Sequence, residues 1–332
     1  MRILQISPGF HGYWRSTERA LEARGHEVVT HVYDARPTVG ARLTHKLTHE
    51  LPERLGADRR SLLVSRSSAN ALAALRANRP DAVLVIKGDV FDASFWAEVQ
   101  RLPHVLWLYD EVRRTGHSIP ELVGLGPVAT YSAHDAAALG AAGATVRHVP
   151  LAYDPGIRAE PSHGRNDQIV FVGARYPTRE TLLTGLVDRR VGVTAYGRDW
   201  SHHPVDRART WDPRRPPIAS GRDLSRETTY RVMADAAGTL NIHGDQDGFT
   251  MRTFEACGVG ALQLIDRHDV GEVYEPDHEV VVFDDLDHLA ELCRRAISDR
   301  RWSDRIREGG RRRTLAEHTF GHRVAMLEEM WA

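Results

Sequence analysis

The stretch "GTLNIHGDQDGFTMRTFEACGVGALQLID", residues 238–266, decides how the chain folds. An apolar run, GTLNIHG, ends in a polar loop punctuated by glycine. MRTFEA has helical character, and small residues close it before a second apolar run, ALQLID. Strand, loop, helix and strand in this order form a βαβ unit, whose two strands lie parallel in one sheet. Within it, Asp247 and Glu255 are separated by seven residues. Asp247 falls in the loop before the helix, and Glu255 lies over one turn inside it. The two carboxylates can therefore accept hydroxyl hydrogen bonds from different parts of an elongated ligand. Backbone amides around Thr250 to Thr253 lie between them and could hold phosphates. The small residues Gly258, Gly260 and Ala261 are expected to let the helix end pack closely on the next strand.

The same pattern extends outward along the chain. RILQIS (2–7) is a short apolar run, PGFHG is a turn, residues 13–24 have helical spacing, and HEVVTHVY (26–33) is strand-like. DAVLVIKG (81–88), HVLWLYD (104–110) and GPVATYS (126–132) are near-continuous apolar runs, as expected of strands covered on both faces. Ser132 is placed to cap the alanine-rich helix that follows. Residues 154–168 are polar and rich in Pro and Gly, a linker composition. The pattern then restarts with IVFVGARYP, a helix over 178–188, VGVTAYG, an irregular stretch from 200 to 222 and a helix over 225–236. The expectation is an α/β protein of two doubly wound domains. Their bounds are 1–153, a linker 154–168, 169–318, and a closing helix 319–332.

Composition narrows the class. A chain of 332 residues fits two domains, and a formal net charge of -1 argues against a dedicated binder of nucleic acid. Lysine occurs only at Lys46 and Lys87, so arginine carries nearly all the positive charge. Two cysteines, Cys257 and Cys293, in apolar helical contexts suggest a reducing compartment. The first residues run straight into a strand, and no stretch approaches the ~20 apolar residues of a membrane span. A cytoplasmic protein without a membrane span is expected.

In doubly wound sheets ligands bind beyond the carboxyl ends of strands. In the first half those ends carry Gly9 and Gly12, which allow close approach of the backbone to a ligand, and Asp110 and Glu111, which could supply a base. His117 in the next loop is the alternative base, and Asp110 could instead be a structural acid paired with Arg113. In the second half, GARYPTRE (173–180) enters a helix, where the amides with Arg175 and Arg179 favour an anion. Tyr196 to Trp200 and His243 to Thr250 are the other strand ends there, so Tyr196 and His243, with Thr253 at the start of the helix that follows, are candidate ligand contacts. DQD (245–247) mimics an Asp-x-Asp metal motif, but tandem doubly wound domains argue against it, so no metal is expected. The histidines of SHH (201–203), HKLTH (45–49) and HDAAAL (134–139) lack the spacing of a zinc site with a third ligand.

The carboxylate, seven residues, then Glu and a small-residue turn resemble the E-x7-E signature of retaining GT-B glycosyltransferases, with Asp247 in place of the first Glu. The longer string NIHGDQDGFTMRTFEACGVGA, with FVGARYPTRE and YGRDW upstream, resembles the CgeB-like (spore-maturation-type) glycosyltransferase family more specifically. PDAVLVIKG, LWLYDE and VPLAYDP extend the resemblance over most of the chain. It implies two Rossmann-like domains facing across a cleft, a donor held mainly by the C-terminal one, and no bound metal. It makes Glu255 the ribose partner and turns Asp247 to the hydroxyls of the transferred sugar. Arg175, Arg179 and Arg252 become diphosphate ligands, and YGRDW (196–200) adjoins the base. The Asp for Glu departure shortens the reach to the sugar. The implied substrate is a nucleoside diphosphate sugar, UDP favoured, with a small-molecule or glycan acceptor and no separate cofactor. A nucleotide-sugar epimerase and a non-catalytic sugar-nucleotide binder are the alternatives. Cleft closure about residues 151–168 and near Glu317 is expected on donor binding.

Overall fold

The computed structural model describes residues 1–34, 60–157, 164–212 and 214–331. The histidines of HKLTH and the middle of the expected linker lie outside the described residues. The chain divides into two units, Met1–Pro150 with Phe320–Ala332, and Leu151–Thr319.

The first unit runs β1 (Arg2–Ser7), α1 (Trp14–Ala23), β2 (Glu27–Val32), α2 (Arg60–Asn78), β3 (Ala82–Ile86), α3 (Ala93–Val99), β4 (His104–Leu108), α4 (Ile119–Gly124), β5 (Val128–Thr130), α5 (Ala133–Ala141) and β6 (Val146–His148). Its sheet has the order β2-β1-β3-β4-β5-β6, with every pairing parallel. The order reverses between β1 and β3, which defines this unit's switch point. β3 and β4 are buried along their whole length, which is why their sequences are continuously apolar rather than alternating. The Ser132 hydroxyl accepts from the Asp135 amide and caps α5. The closing helix (Phe320–Trp331) belongs to this unit and packs on α1 and β4. The Phe320 and Trp107 rings meet edge to face at 6.3 Å, and Glu328 accepts from Arg24 and His26.

The second unit runs β7 (Ile169–Val172), α6 (Pro177–Asp188), β8 (Val193–Tyr196), α7 (Pro204–Thr210), β9 (Ala219–Gly221), α8 (Arg226–Asp235), β10 (Gly238–Asn241), α9 (Met251–Gly258), β11 (Gln263–Ile265), β12 (Val281–Val282), α10 (Leu286–Ser298) and α11 (Arg300–Glu317). The sheet order is β12-β11-β10-β7-β8-β9, again parallel, with the switch point between β7 and β10. Its core gathers Phe171, Leu183, Trp200, Leu240, Leu264, Leu289 and Trp302.

Two local expectations need correcting. The stretch 200–222, read as irregular, contains α7 and the edge strand β9, and Asp206 ties it together by accepting from Ser201 and Arg222. An edge strand of three residues buries too little to leave a period in the sequence. Gly258 does not serve the next strand: a Cβ there would lie 2.3 Å from the Tyr153 ring, so the glycine makes room for that aromatic. Gly260, at φ +72, supplies the left-handed turn that ends α9. Among the described residues no helix is long and apolar enough to cross a membrane.

Candidate functional site

At the switch point of the first unit, the Gly9 amide donates to Asp34 at 2.5 Å, and Gly12 occupies φ +69. Lys87 follows β3 with φ 69, a left-handed conformation that costs a non-glycine residue of order 1 kcal/mol. Its ammonium donates to Asp110 at 2.9 Å. Burial works against the Lys87 cation, but the hydrogen bond and charge of Asp110, helped by Asp89, raise its pKa above the usual value. Asp110 is therefore paired with Lys87, whereas the expected structural partner, Arg113, lies 4.0 Å from Glu111. Glu111 is fully buried and its carboxylate meets Arg114 at 3.1 Å. Burial, followed by the hydrogen bond to Glu111, pushes the Tyr131 hydroxyl well above its ordinary range. His117 Nε2 sits 3.0 Å from the Lys87 carbonyl, and Nδ1 lies 3.6 Å from Glu121. Gly9, Lys87, Asp110 and His117 thus share the carboxyl end of the sheet. Glu111 turns into the protein, where Arg114 and Tyr131 engage it.

In the second unit, Arg179 marks the switch point. From α6 its guanidinium donates to the Ile242 carbonyl at 2.7 Å and the Ala174 carbonyl at 3.0 Å. It thereby bridges the chain leaving β10 to the chain leaving β7, and it stacks over the Phe171 and Tyr176 rings. Arg175 pairs with Asp212 and Glu180 and donates to the Arg214 carbonyl. The Tyr196 carbonyl accepts from the Gly173 amide, and its ring fills the space beside Gly221.

Helix α9 delivers Glu255 to an almost wholly buried position. Its Oε2 accepts from Arg252 at 2.8 Å and its Oε1 from the Tyr230 hydroxyl at 3.2 Å, with Arg226 Nε at 3.7 Å. Arg226 also lies 3.8 Å from Asp154. Glu255 therefore stands in a buried network of two guanidiniums, two carboxylates and a phenol. Ligand hydroxyls must exchange with these partners to reach it. Thr253 turns inward: its amide bonds to the Thr250 carbonyl and its hydroxyl accepts from Asn241. The expectation that the Thr253 amide meets a phosphate is corrected, because that amide already closes the first turn and the position faces the strands.

The loop between β10 and α9 is fastened from β11. The Arg267 guanidinium donates to the carbonyls of Gln246 at 2.8 Å and Asp247 at 3.0 Å and stacks over Phe249 at 4.7 Å. Its pairing with Asp269, outweighing the burial that opposes it, raises the pKa of the guanidinium. Asp266, directly after β11, accepts from the His243 amide and lies 3.0 Å from His243 Nδ1. Sequence reasoning missed Arg226, Tyr230, Asp154, Asp266 and Arg267. For Asp266 and Arg267 a signal existed, since they follow ALQLI at a strand end as His243 follows TLNI. For the other three there was none.

Residues 178–329 match a family model described as glycosyl transferase-like. No curated protein matched the chain. Among solved structures, sucrose-phosphate synthase from Thermosynechococcus elongatus aligns with a TM-score of 0.65 at 13% identity, covering 100% of this chain and 98% of that one. HepE of Anabaena in complex with UDP aligns at 0.65 and 13% identity, covering 99% of each chain. A structure from Listeria monocytogenes described as a putative UDP-N-acetylglucosamine 2-epimerase aligns at 0.56 and 12% identity, over 98% of this chain and 94% of that one. The fold is that of the GT-B glycosyltransferases, two parallel sheets of six strands with flanking helices. The family match over residues 178–329, joined to that fold, indicates an enzyme that transfers glycosyl groups.

Proposed function

We propose that the protein moves a sugar from a uridine diphosphate sugar to a hydroxyl-bearing small molecule or glycan, with retention and without a metal ion or separate cofactor. Its strings around α9 favour the CgeB-like type within the GT-B enzymes. The observation that carries the reading is the Asp247–Glu255 pair on the loop and helix that start at the second unit's switch point, with Arg226 and Arg252 at Glu255 and Arg179 on the Ile242 carbonyl at the end of β10. Glu255 accepts from ribose hydroxyls, and Asp247 from those of the transferred sugar. Arg175, Arg179 and Arg252 neutralise the diphosphate, with Tyr196 near the base. The solved HepE complexes with UDP and UDP-glucose support uridine as the base.

In this reaction the bond from the sugar's anomeric carbon to the diphosphate oxygen breaks and a bond to the acceptor oxygen forms. The acceptor proton passes to the leaving diphosphate, so no protein base is required. Gly9 and Gly12 let the first loop approach the donor's phosphates or the acceptor, Asp110 and His117 are assigned to the acceptor's side, and Glu111, buried against Arg114, is not among the contacts. A thermal-shift screen of nucleoside diphosphates identifies the base, because a ligand stabilises the protein according to its concentration over its dissociation constant. Transfer from the matching donor in the presence of a chelator then tests the reaction. Epimerisation of free donor, or binding without turnover with any acceptor, would replace this reading. Activity lost to chelator and restored by magnesium or manganese would return DQD (245–247) to a metal role.

A further inference from the structure

His243 is a buried imidazole with one nitrogen fixed and the other unpaired. Its Nδ1 lies 3.0 Å from Asp266 Oδ1, and its backbone amide donates to both Asp266 oxygens at 3.0 and 2.9 Å. The side chain is 2% exposed. An ionised carboxylate only accepts hydrogen bonds, so Nδ1 carries a proton. Protonation can then change only at Nε2, which is sealed from solvent and has no hydrogen-bond partner among the described residues. An unpaired buried nitrogen disfavours the folded state.

We propose that Asp266 is a positioning residue that holds His243 with Nδ1 protonated, so that Nε2 takes up a proton and donates a hydrogen bond to the diphosphate of the bound donor. The inference rests on the donor reading above and extends it to the proton balance of binding. His243 follows β10 at the switch point, and the Ile242 carbonyl before it is held by Arg179. A neutral Nε2 would present its lone pair to an anion, which is repulsive, whereas an imidazolium between Asp266 and a phosphate is stabilised on both sides. The charged groups on the elements around it are Asp266, Arg267 and Asp269 from the β11 side, Asp245 and Asp247 in the loop, and Arg179 on α6. Carboxylates and guanidiniums ordinarily titrate outside pH 6 to 8. The neighbouring loop is held at Gln246 and Asp247 by Arg267, so a donor reaching Nε2 displaces a loop with a defined latch.

The test is calorimetric titration of the full chain with UDP-glucose from pH 6 to 8, in buffers of different ionisation enthalpy. The diphosphate of UDP-glucose is esterified at both ends and does not titrate in this range. The expected result is uptake approaching one proton, with affinity falling as pH rises from 6 to 8. His243→Gln, whose amide can donate from nearly the same place, should bind without proton uptake and with a flat pH profile. Asp266→Asn should shift the uptake to lower pH and weaken binding at neutral pH. Nitrogen-15 NMR of the wild-type protein should show His243 Nε2 gaining a proton when UDP-glucose is added, which decides the matter if a variant fails to fold. Binding without proton uptake, or affinity that rises with pH as a ligand hydroxyl donating to Nε2 would cause, overturns the inference alone. Absence of UDP-glucose binding overturns the uridine donor reading, and this inference with it.

Discussion

Arg226 Nε stands 3.7 Å from Glu255 Oε1, and both side chains are almost wholly buried. With Arg252 and Asp154 they balance two cations against two anions inside the second unit. Removing one member of a buried pair typically costs about 3–5 kcal/mol, because the other charge is stranded. Glu255→Ala should therefore lose stability of that order in denaturant unfolding. In protein that remains folded, it should weaken nucleoside diphosphate binding by about 1–3 kcal/mol. Glu255→Gln, which still accepts from Tyr230, should lose less of both. Unchanged stability in Glu255→Ala would show that the network contributes nothing, and unchanged affinity would remove Glu255 from the donor site.

Asp206 gives the second unit an acid-sensitive fastening. The hydrogen bond from Arg222 leads, against the opposing effect of burial and with help from Ser201, and holds its pKa down at about 2. A folded-state pKa below the unfolded value of about 3.9 contributes stability above pH 4, and this is lost as pH falls towards 2. Asp206 is 4% exposed but Arg222 is 52% exposed, so solvent screening reduces the effect to about 1–2 kcal/mol. The stability gap between wild type and Asp206→Asn should be constant at neutral pH and close between pH 4 and 2. A gap that persists at pH 2 would assign it to packing instead.

Arg307 fastens α11 to the chain around α8 by donating to the carbonyls of Ala234, Ala236, Ala237 and Gly260. Burial drives its pKa down to about 10, so the guanidinium remains charged at neutral pH. Arg307→Met keeps most of the bulk but strands several buried carbonyls, at about 1–3 kcal/mol for an unsatisfied buried group. A melting temperature lowered by several degrees is expected. No change would mean that other groups or water satisfy those carbonyls in solution.

Gly258→Ala tests the aromatic seat beside α9. The new methyl would meet the Tyr153 ring, which in turn stacks on Tyr230 at 5.5 Å, the residue that donates to Glu255. Overpacking of this kind costs typically 1–3 kcal/mol. Because the displaced ring leads to Glu255, donor affinity should fall along with stability. Gly258→Ala combined with Tyr153→Leu should recover part of the stability, and failure to recover any would place the clash elsewhere.

The sequence alone determined what depends on neighbours along the chain. Apolar runs such as DAVLVIKG and HVLWLYD declared buried parallel strands, because a strand covered on both faces has no polar side to display. The spacing of Asp247 and Glu255 placed one carboxylate in a loop and the other inside a helix, and α9 begins between them, at Met251. Tertiary structure decided what depends on residues far apart. Strand order cannot be read from periodicity, so neither switch point was legible, nor was the meeting of β7 and β10 that puts Arg179 at one of them. Arg226 and Asp154 are ordinary charged residues in the sequence. Folding brings Arg226 to Glu255 from α8 and Asp154 to Arg226 from the chain before β7, and burial then makes each charge depend on the others. Asp266 had the local mark of a strand end, but only the parallel pairing of β10 with β11 sets its carboxylate against His243.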